Sequence, residues 1–166
     1  MNAYLLDTTA IIAHFRKEPG YAQVQDLFND PGAAVLIAAP SLLELDIALS
    51  AKVQDETRRR AVVIAYGGQL AEVVSADGDA ARAAIAVRGA AAKRVPAMDA
   101  LIAGCAAARG AVLVHSDPHF DAVPAEQLKT LRLREGGYPT SGDVPPVVKE
   151  ECASYKSGKS KTRRKP

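Results

Sequence analysis

The stretch Ala3-Tyr-Leu-Leu-Asp7-Thr-Thr-Ala-Ile-Ile12 passes from a short apolar run into a helical one, with Asp7 at the junction. Asp7 therefore ends a first strand and opens a first helix. The same alternation of short strand-like runs and longer helical stretches continues along the chain. Further candidate strands are Val35–Ala38, Glu72–Val74, Val112–Val114 and Thr130–Leu133. Between them lie alanine-rich segments with apolar residues at helical spacing, such as Leu42, Leu43, Ile47, Ala48 and Ala51. Others run from Ala80 to Lys93 and from Pro96 to Arg109. Pro96 just inside a helix start and Gly110 just past its end follow the usual asymmetry of helix termini. Strand–helix alternation predicts a three-layer α/β/α sandwich around a central, mostly parallel five-stranded sheet.

Length and composition support one such domain. The chain has 166 residues, 48% hydrophobic and 24% charged, which is ordinary for a globular protein and excludes a wholly disordered, collagen-like or coiled-coil chain. A chain this long buries a core without disulfides or a structural metal. The N-terminus has no basic region and meets an acid at Asp7, so it does not read as a signal peptide. The longest uncharged apolar run, Ala33 to Leu43, falls short of the roughly 20 residues a membrane span needs. Cys105 and Cys152 match no zinc or redox spacing, and Cys105 reads as a small buried thiol. A soluble, cytoplasmic protein with no membrane association is expected.

The composition shifts after Arg134. Gly136, Gly137, Pro139, Gly142, Pro145 and Pro146 break any regular pattern, and a lysine-rich end follows. Residues 1–134 are therefore read as the domain and 135–166 as a Gly/Pro-rich extension with a basic tail expected to be disordered, within which Val144–Val148 could dock. Net charge is +2, but residues 156–166 hold six Lys and Arg and no acid. Residues 1–155 carry 15 basic and 19 acidic side chains, so the body lacks the basic balance of a typical nucleic-acid groove. Any such function has to rest on a site.

Four acids define a candidate site. Asp7 reads most simply as an N-cap. Glu44 completes a Ser-x-x-Glu capping-box spacing with Ser41, yet it is flanked by Leu42, Leu43, Leu45 and Ile47. Asp99 lies in the first turn of the Pro96–Arg109 helix, where the helix dipole favours an acid, in apolar company. Asp117 belongs to the turn His115-Ser-Asp-Pro-His-Phe120, where Asp-Pro is an ordinary turn initiator. Each plain reading is adequate alone, but the acids share a location. In a doubly wound sheet, ligand sites lie outside the carboxyl ends of the strands. Asp7, Glu44 and Asp117 follow strands, and Asp99 joins them if its helix starts on the same edge. Four such acids repel one another unless a cation sits among them. An all-oxygen set suits Mg²⁺ or Mn²⁺, which could activate water and hold a phosphodiester for in-line attack.

Two rival chemistries on related sheets fail on residues. A phosphoaspartate hydrolase needs Asp-x-Asp after the first strand, and position 9 is Thr9. A receiver domain needs an acidic pair there, and Asp7 has no acidic neighbour. No Gly-rich phosphate loop precedes any helix.

In order and spacing the chain resembles a PIN domain, and more narrowly a VapC-type toxin of a bacterial toxin–antitoxin pair. The matching pieces are Tyr4-Leu-Leu-Asp7-Thr-Thr9, Ser41-Leu-Leu-Glu44-Leu45, Pro96-Ala-Met-Asp99-Ala-Leu-Ile102 and Leu113-Val-His-Ser-Asp117-Pro-His-Phe120. The resemblance spans residues 1–134. It implies a Mg²⁺- or Mn²⁺-dependent endoribonuclease with Asp7, Glu44, Asp99 and Asp117 as the carboxylate cluster. It also implies Thr8 as a helper hydroxyl, an RNA substrate, a homodimer and inhibition by a small cognate antitoxin. The family often carries Thr-x-Asp at the last site; His115 stands at the Thr place here, so that hydroxyl is either missing or replaced by Ser116. The extension 135–166 exceeds the compact family length. An alternative of another class is a catalytically idle PIN-like module that binds RNA or a protein.

The three histidines are lesser candidates, as proton donors or metal ligands. His14, one turn into the first helix, reads as a surface or substrate contact, and His119 as turn filler beside Phe120. Arg58-Arg-Arg60 and Arg82, Arg88, Lys93 and Arg94 read as solvated helix faces, some of which could hold RNA phosphates.

Overall fold

A computed structural model describes residues 2–134 of the chain. The expectations for residues 135–166, the basic tail, the Val144–Val148 segment and Cys152 lie outside the described residues.

Five strands form one wholly parallel sheet: β1 (Asn2–Leu6), β2 (Ala33–Ala38), β3 (Glu72–Val74), β4 (Val112–His115) and β5 (Thr130–Arg132), in the order β3-β2-β1-β4-β5. β1 lies at the centre, with Leu5 paired to Leu36 and Leu113, and Leu6 paired to Ile37 and Val114. Because successive side chains on a strand point to opposite faces, these two rows feed two cores. Leu5, Leu36 and Leu113 pack under helices α5 (Gly78–Ala90) and α6 (Ala97–Ala108). Leu6, Ile37 and Val114 pack under α1 (Thr8–Arg16), α3 (Ala39–Ser50) and α4 (Glu56–Ile64). A sheet buried on both faces explains why its central strands read as continuous apolar runs.

The five strands and the Ala80–Lys93 and Pro96–Arg109 helices fall within a few residues of their sequence-based ranges. Two helices carried weaker signals. α2 (Tyr21–Asn29) is fully buried only at Val24, among Gln23, Gln25 and Asp26. α4 is followed by a π-helical stretch, Ala65–Leu70, whose Gly67 and Gly68 blur any apolar period. Cys105 is buried as expected, with its thiol 3.8 Å from the Ser75 carbonyl oxygen. Among the described residues no helix is long and apolar enough to cross a membrane.

The Ser41–Glu44 capping box does not form. α3 begins at Ala39, directly after β2, with Ala38 as its N-cap and Pro40 in its first turn. Proline fits the first helical turn, where its missing N–H has no intrahelical partner anyway. Ser41 is thereby carried inside the helix, where its hydroxyl is buried and without a hydrogen-bond partner, and Glu44 points its carboxylate elsewhere. His14 also departs from its surface reading. It is fully buried, stacked on Tyr21 at 5.1 Å, with Nδ1 accepting from the Tyr66 hydroxyl (2.6 Å) and Nε2 donating to Gln25 Oε1 (3.2 Å).

Helices α5 and α6 approach closely at Gly104. A methyl group there would stand 2.7 Å from the Ala84 backbone nitrogen and nearer still to the Ala80 carbonyl oxygen. Gly→Ala inside a helix ordinarily stabilises by about 1 kcal/mol. Here Gly104→Ala should instead cost about 3 kcal/mol, because the clash is with backbone and the helices must part. Urea denaturation checks it; a neutral or stabilising result would mean that the two helices separate freely.

Candidate functional site

The site lies at the carboxyl edge of the sheet, where β1, β2 and β4 hand over to helices. Asp7 follows β1 and caps α1: its Oδ2 accepts from the Thr9 N–H (3.1 Å) and the Thr9 hydroxyl (2.7 Å). The plain capping role and a site role thus coexist in one side chain. Asp7 is only 4% exposed. Burial pushes its pKa up to about 6; the Thr9 hydrogen bonds pull the other way, and the Glu44 charge adds to the rise.

Glu44 sits in the second turn of α3, with Oε2 accepting the Thr8 hydroxyl at 2.6 Å. Thr8 is itself buried, so the helper hydroxyl inferred for it is aimed at Glu44. Asp99 occupies the first turn of α6, which reaches the same edge. Its pKa is raised, chiefly by burial and then by the charges of Asp117 and Glu44. Asp117, two residues beyond β4, caps the short 3₁₀ turn Pro118–Ala122, with Oδ1 accepting the His119 N–H at 2.8 Å.

Glu44 lies near enough to raise the pKa of both Asp7 and Asp99, and Asp117 that of Asp99, but of the four acids only Asp99 and Asp117 belong to a close-set group of donor atoms. Between Asp99 and Asp117 lies the imidazole of His119, with Nδ1 3.1 Å from Asp99 Oδ2 and 3.0 Å from Asp117 Oδ1. The three side chains offer donor atoms within 4.8 Å of one another.

Two supporting residues differ from the sequence reading. Thr9 supplies a supporting hydroxyl of its own, donating to Asp7 and accepting the Ser116 N–H at 3.0 Å. It thereby ties the end of β1 to the end of β4. The single strand-following Thr-Thr pair was the available signal: Thr8 faces Glu44 and Thr9 faces Asp7. His115, in place of the family's Thr, is fully buried, with Nδ1 donating to the Asp117 carbonyl (2.8 Å) and its ring edge-on to Phe120 at 5.1 Å. Burial lowers its pKa, so it acts as a neutral brace that shapes the Asp117 turn. An open cleft of about 880 Å³ runs from Thr9 and Ser116 along α1 and β5 to Arg132 and Arg134.

The donor set fits a hard divalent cation. Carboxylates gathered at one edge, one of them buried, carry more negative charge than the half-exposed His119 can balance. Oxygen-rich sets of this kind suit Mg²⁺ or Mn²⁺.

A family model described as the PIN domain matches residues 4–126. None of the curated proteins matches the chain. Among solved structures it is similar to the DNA-bound VapBC of Salmonella typhimurium, at 26% identity and a TM-score of 0.63 over 80% of this chain and 98% of that one. It is also similar to VapBC2 of Rickettsia felis bound to a promoter DNA fragment, at 20% identity, 79% and 98% coverage and a TM-score of 0.63. A third similar structure is VapBC-5 of Mycobacterium tuberculosis, a member of the VapBC toxin–antitoxin family, at 24% identity, 80% and 100% coverage and a TM-score of 0.59.

Proposed function

We propose that this chain, which belongs to the PIN domain family, is a metal-dependent endoribonuclease acting as the toxin of a toxin–antitoxin pair. Family membership supports nuclease chemistry. The observation that carries the finer reading is the gathering of Asp7, Glu44, Asp99 and Asp117 at one sheet edge, with Asp7 and Asp99 both destabilised as anions. Asp7, Glu44, Asp99 and Asp117 would hold Mg²⁺ or Mn²⁺, which supplies an activated water and stabilises charge developing on the phosphate.

The rest of the work belongs to the protein's own groups. The Thr8 hydroxyl orients Glu44, and Thr9 orients Asp7 while bracing the Ser116 backbone. His115 fixes the turn that carries Asp117. An RNA strand would lie along the cleft beside Thr9 and Ser116, where Arg134 and the Asp121-paired Arg132 line its far end. The neighbours' toxin–antitoxin complexes support a small cognate antitoxin as partner. Leu43, Ile47 and Ile64, each more than half exposed on α3 and α4, give protein partners, the antitoxin and a second copy of the chain, an apolar surface to cover.

Incubation of the purified chain with single-stranded RNA tests the reading. Cleavage should require Mg²⁺ or Mn²⁺, stop with EDTA, and leave 5′-phosphate and 3′-hydroxyl ends, with water as the nucleophile and the 3′-oxygen as the leaving group in place of attack by the neighbouring 2′-hydroxyl. Cyclic-phosphate ends would overturn the proposed chemistry. RNA binding without cleavage would favour the idle binding module.

A further inference from the structure

We propose that His119, through Nδ1, joins the carboxylates as a nitrogen ligand of the divalent cation, adjacent to Asp99 and Asp117, and that it tilts the site from Mg²⁺ toward Mn²⁺. The inference rests on the metal-dependent reading above and deepens it. Donor spacing is the first support. In an octahedral site with bonds of about 2.1 Å, adjacent donors stand about 3.0 Å apart. His119 Nδ1 meets that spacing to both carboxylates at once, at 3.1 Å from Asp99 and 3.0 Å from Asp117.

The second support is that the fold places the imidazole. The Asp117 Oδ1 that faces Nδ1 also accepts the His119 backbone N–H at 2.8 Å. Pro118 fixes the backbone torsion between the two residues. Phe120 is buried immediately after and anchors the turn against His115. A freely swinging surface histidine has none of these restraints. Asp99 reaches the same nitrogen from a different element, α6, so the three donors converge from two sides.

The chemistry follows from ligand softness. Mg²⁺ strongly prefers oxygen donors, whereas imidazole suits the later first-row divalent ions, with Mn²⁺ tolerating both. An all-carboxylate site would discriminate less than one that includes a nitrogen. His115 is the poorer candidate, since its Nδ1 is committed to the Asp117 carbonyl and its unpartnered Nε2 is buried.

Electron spin-echo spectroscopy of Mn²⁺ bound to the full-length chain should show ¹⁴N modulation from a coordinated imidazole. His119→Ala should remove that modulation. By calorimetry the same variant should bind Mn²⁺ about tenfold more weakly, equivalent to about 1.4 kcal/mol, while Mg²⁺ affinity changes much less. His119 is half exposed, and an unchanged melting temperature would verify that the variant folds. Tighter binding of both metals by His119→Ala, with no ¹⁴N modulation in the wild type, would overturn the proposal: the histidine would then be a stand-in cation that metal displaces. Modulation that persists in the variant would also overturn it, by assigning the nitrogen to another residue. If the wild type binds neither metal, the metal-dependent reading itself fails, and the ligand assignment with it.

Discussion

Replacing Asp99 by Asn should abolish metal-dependent RNA cleavage, by about 100-fold or more, while leaving the metal-free domain as stable as the wild type or more so. The two halves of that outcome have one cause. Asp99 is held with its carboxylate disfavoured, first by burial and then by the charges of Asp117 and Glu44. Asn keeps the shape and removes the charge, so the metal-free fold should hold or gain stability. Loss of the Asp99–His119 pair takes little away, because the imidazole is half exposed and screened by water. With metal the balance reverses: the variant should lose most of the stabilisation that Mg²⁺ or Mn²⁺ gives the wild type. An acid that served only the α6 dipole would behave in the opposite way, losing about 0.3–1 kcal/mol on neutralisation with cleavage intact. Melts in EDTA and in Mg²⁺, run beside an RNA-cleavage assay, separate the two. Full activity in the Asn variant would remove Asp99 from the site.

The legible part of this protein was the part written locally. The central strands are short runs dominated by Leu, Val, Ile and Ala, and a sheet covered on both faces leaves that mark in any single stretch of chain. The four acids could be picked out for the same reason, since three of them follow strands whose carboxyl ends must share an edge. What the sequence could not show depended on partners far along the chain. Whether Ser41 caps a helix depends on where α3 starts, and Pro40 allows it to start three residues before Ser41's side chain could act as a cap. His14 looks like any polar residue one turn into a helix. Only Tyr66, from the π-helical stretch, and Gln25, from α2, turn it into a buried, hydrogen-bonded group. His119 likewise reads as a turn residue until α6 delivers Asp99 to it. The Thr8-Thr9 pair was visible, but which hydroxyl serves which acid follows from helix geometry and not from order.

Asp7 and His14 should give the metal-free protein opposing pH dependences that nearly cancel, and Asp7→Asn should expose the one the wild type hides. Asp7 titrates near 3.8 when unfolded and near 6 in the fold. Its contribution to stability is therefore fully present below pH 3.8 and is lost as pH rises through about 6, a difference of about 3 kcal/mol at 1.36 kcal/mol per unit. His14 runs the other way. Burial lowers its pKa from 6.5 to about 4, so its contribution is present above pH 6.5 and is lost as pH falls through about 4, again by about 3 kcal/mol. Between pH 4 and 6.5 the wild type should thus show little net slope from this pair. Asn caps helices as well as Asp does, and its side-chain oxygen can still accept from Thr9. Asp7→Asn should accordingly be about 3 kcal/mol more stable than the wild type at pH 7.5 in EDTA. That advantage should fade as the pH approaches 4, leaving the variant with the acid lability that His14 alone imposes. Urea denaturation of both proteins across pH 4 to 7.5 in EDTA measures the difference directly, and subtracting one profile from the other removes every group they share. Parallel profiles would show that Asp7 carries no buried charge. A steep difference that Mg²⁺ erases at pH 7.5 would place the cation against that same carboxylate, since only a neutralising partner can remove the cost of ionising it there.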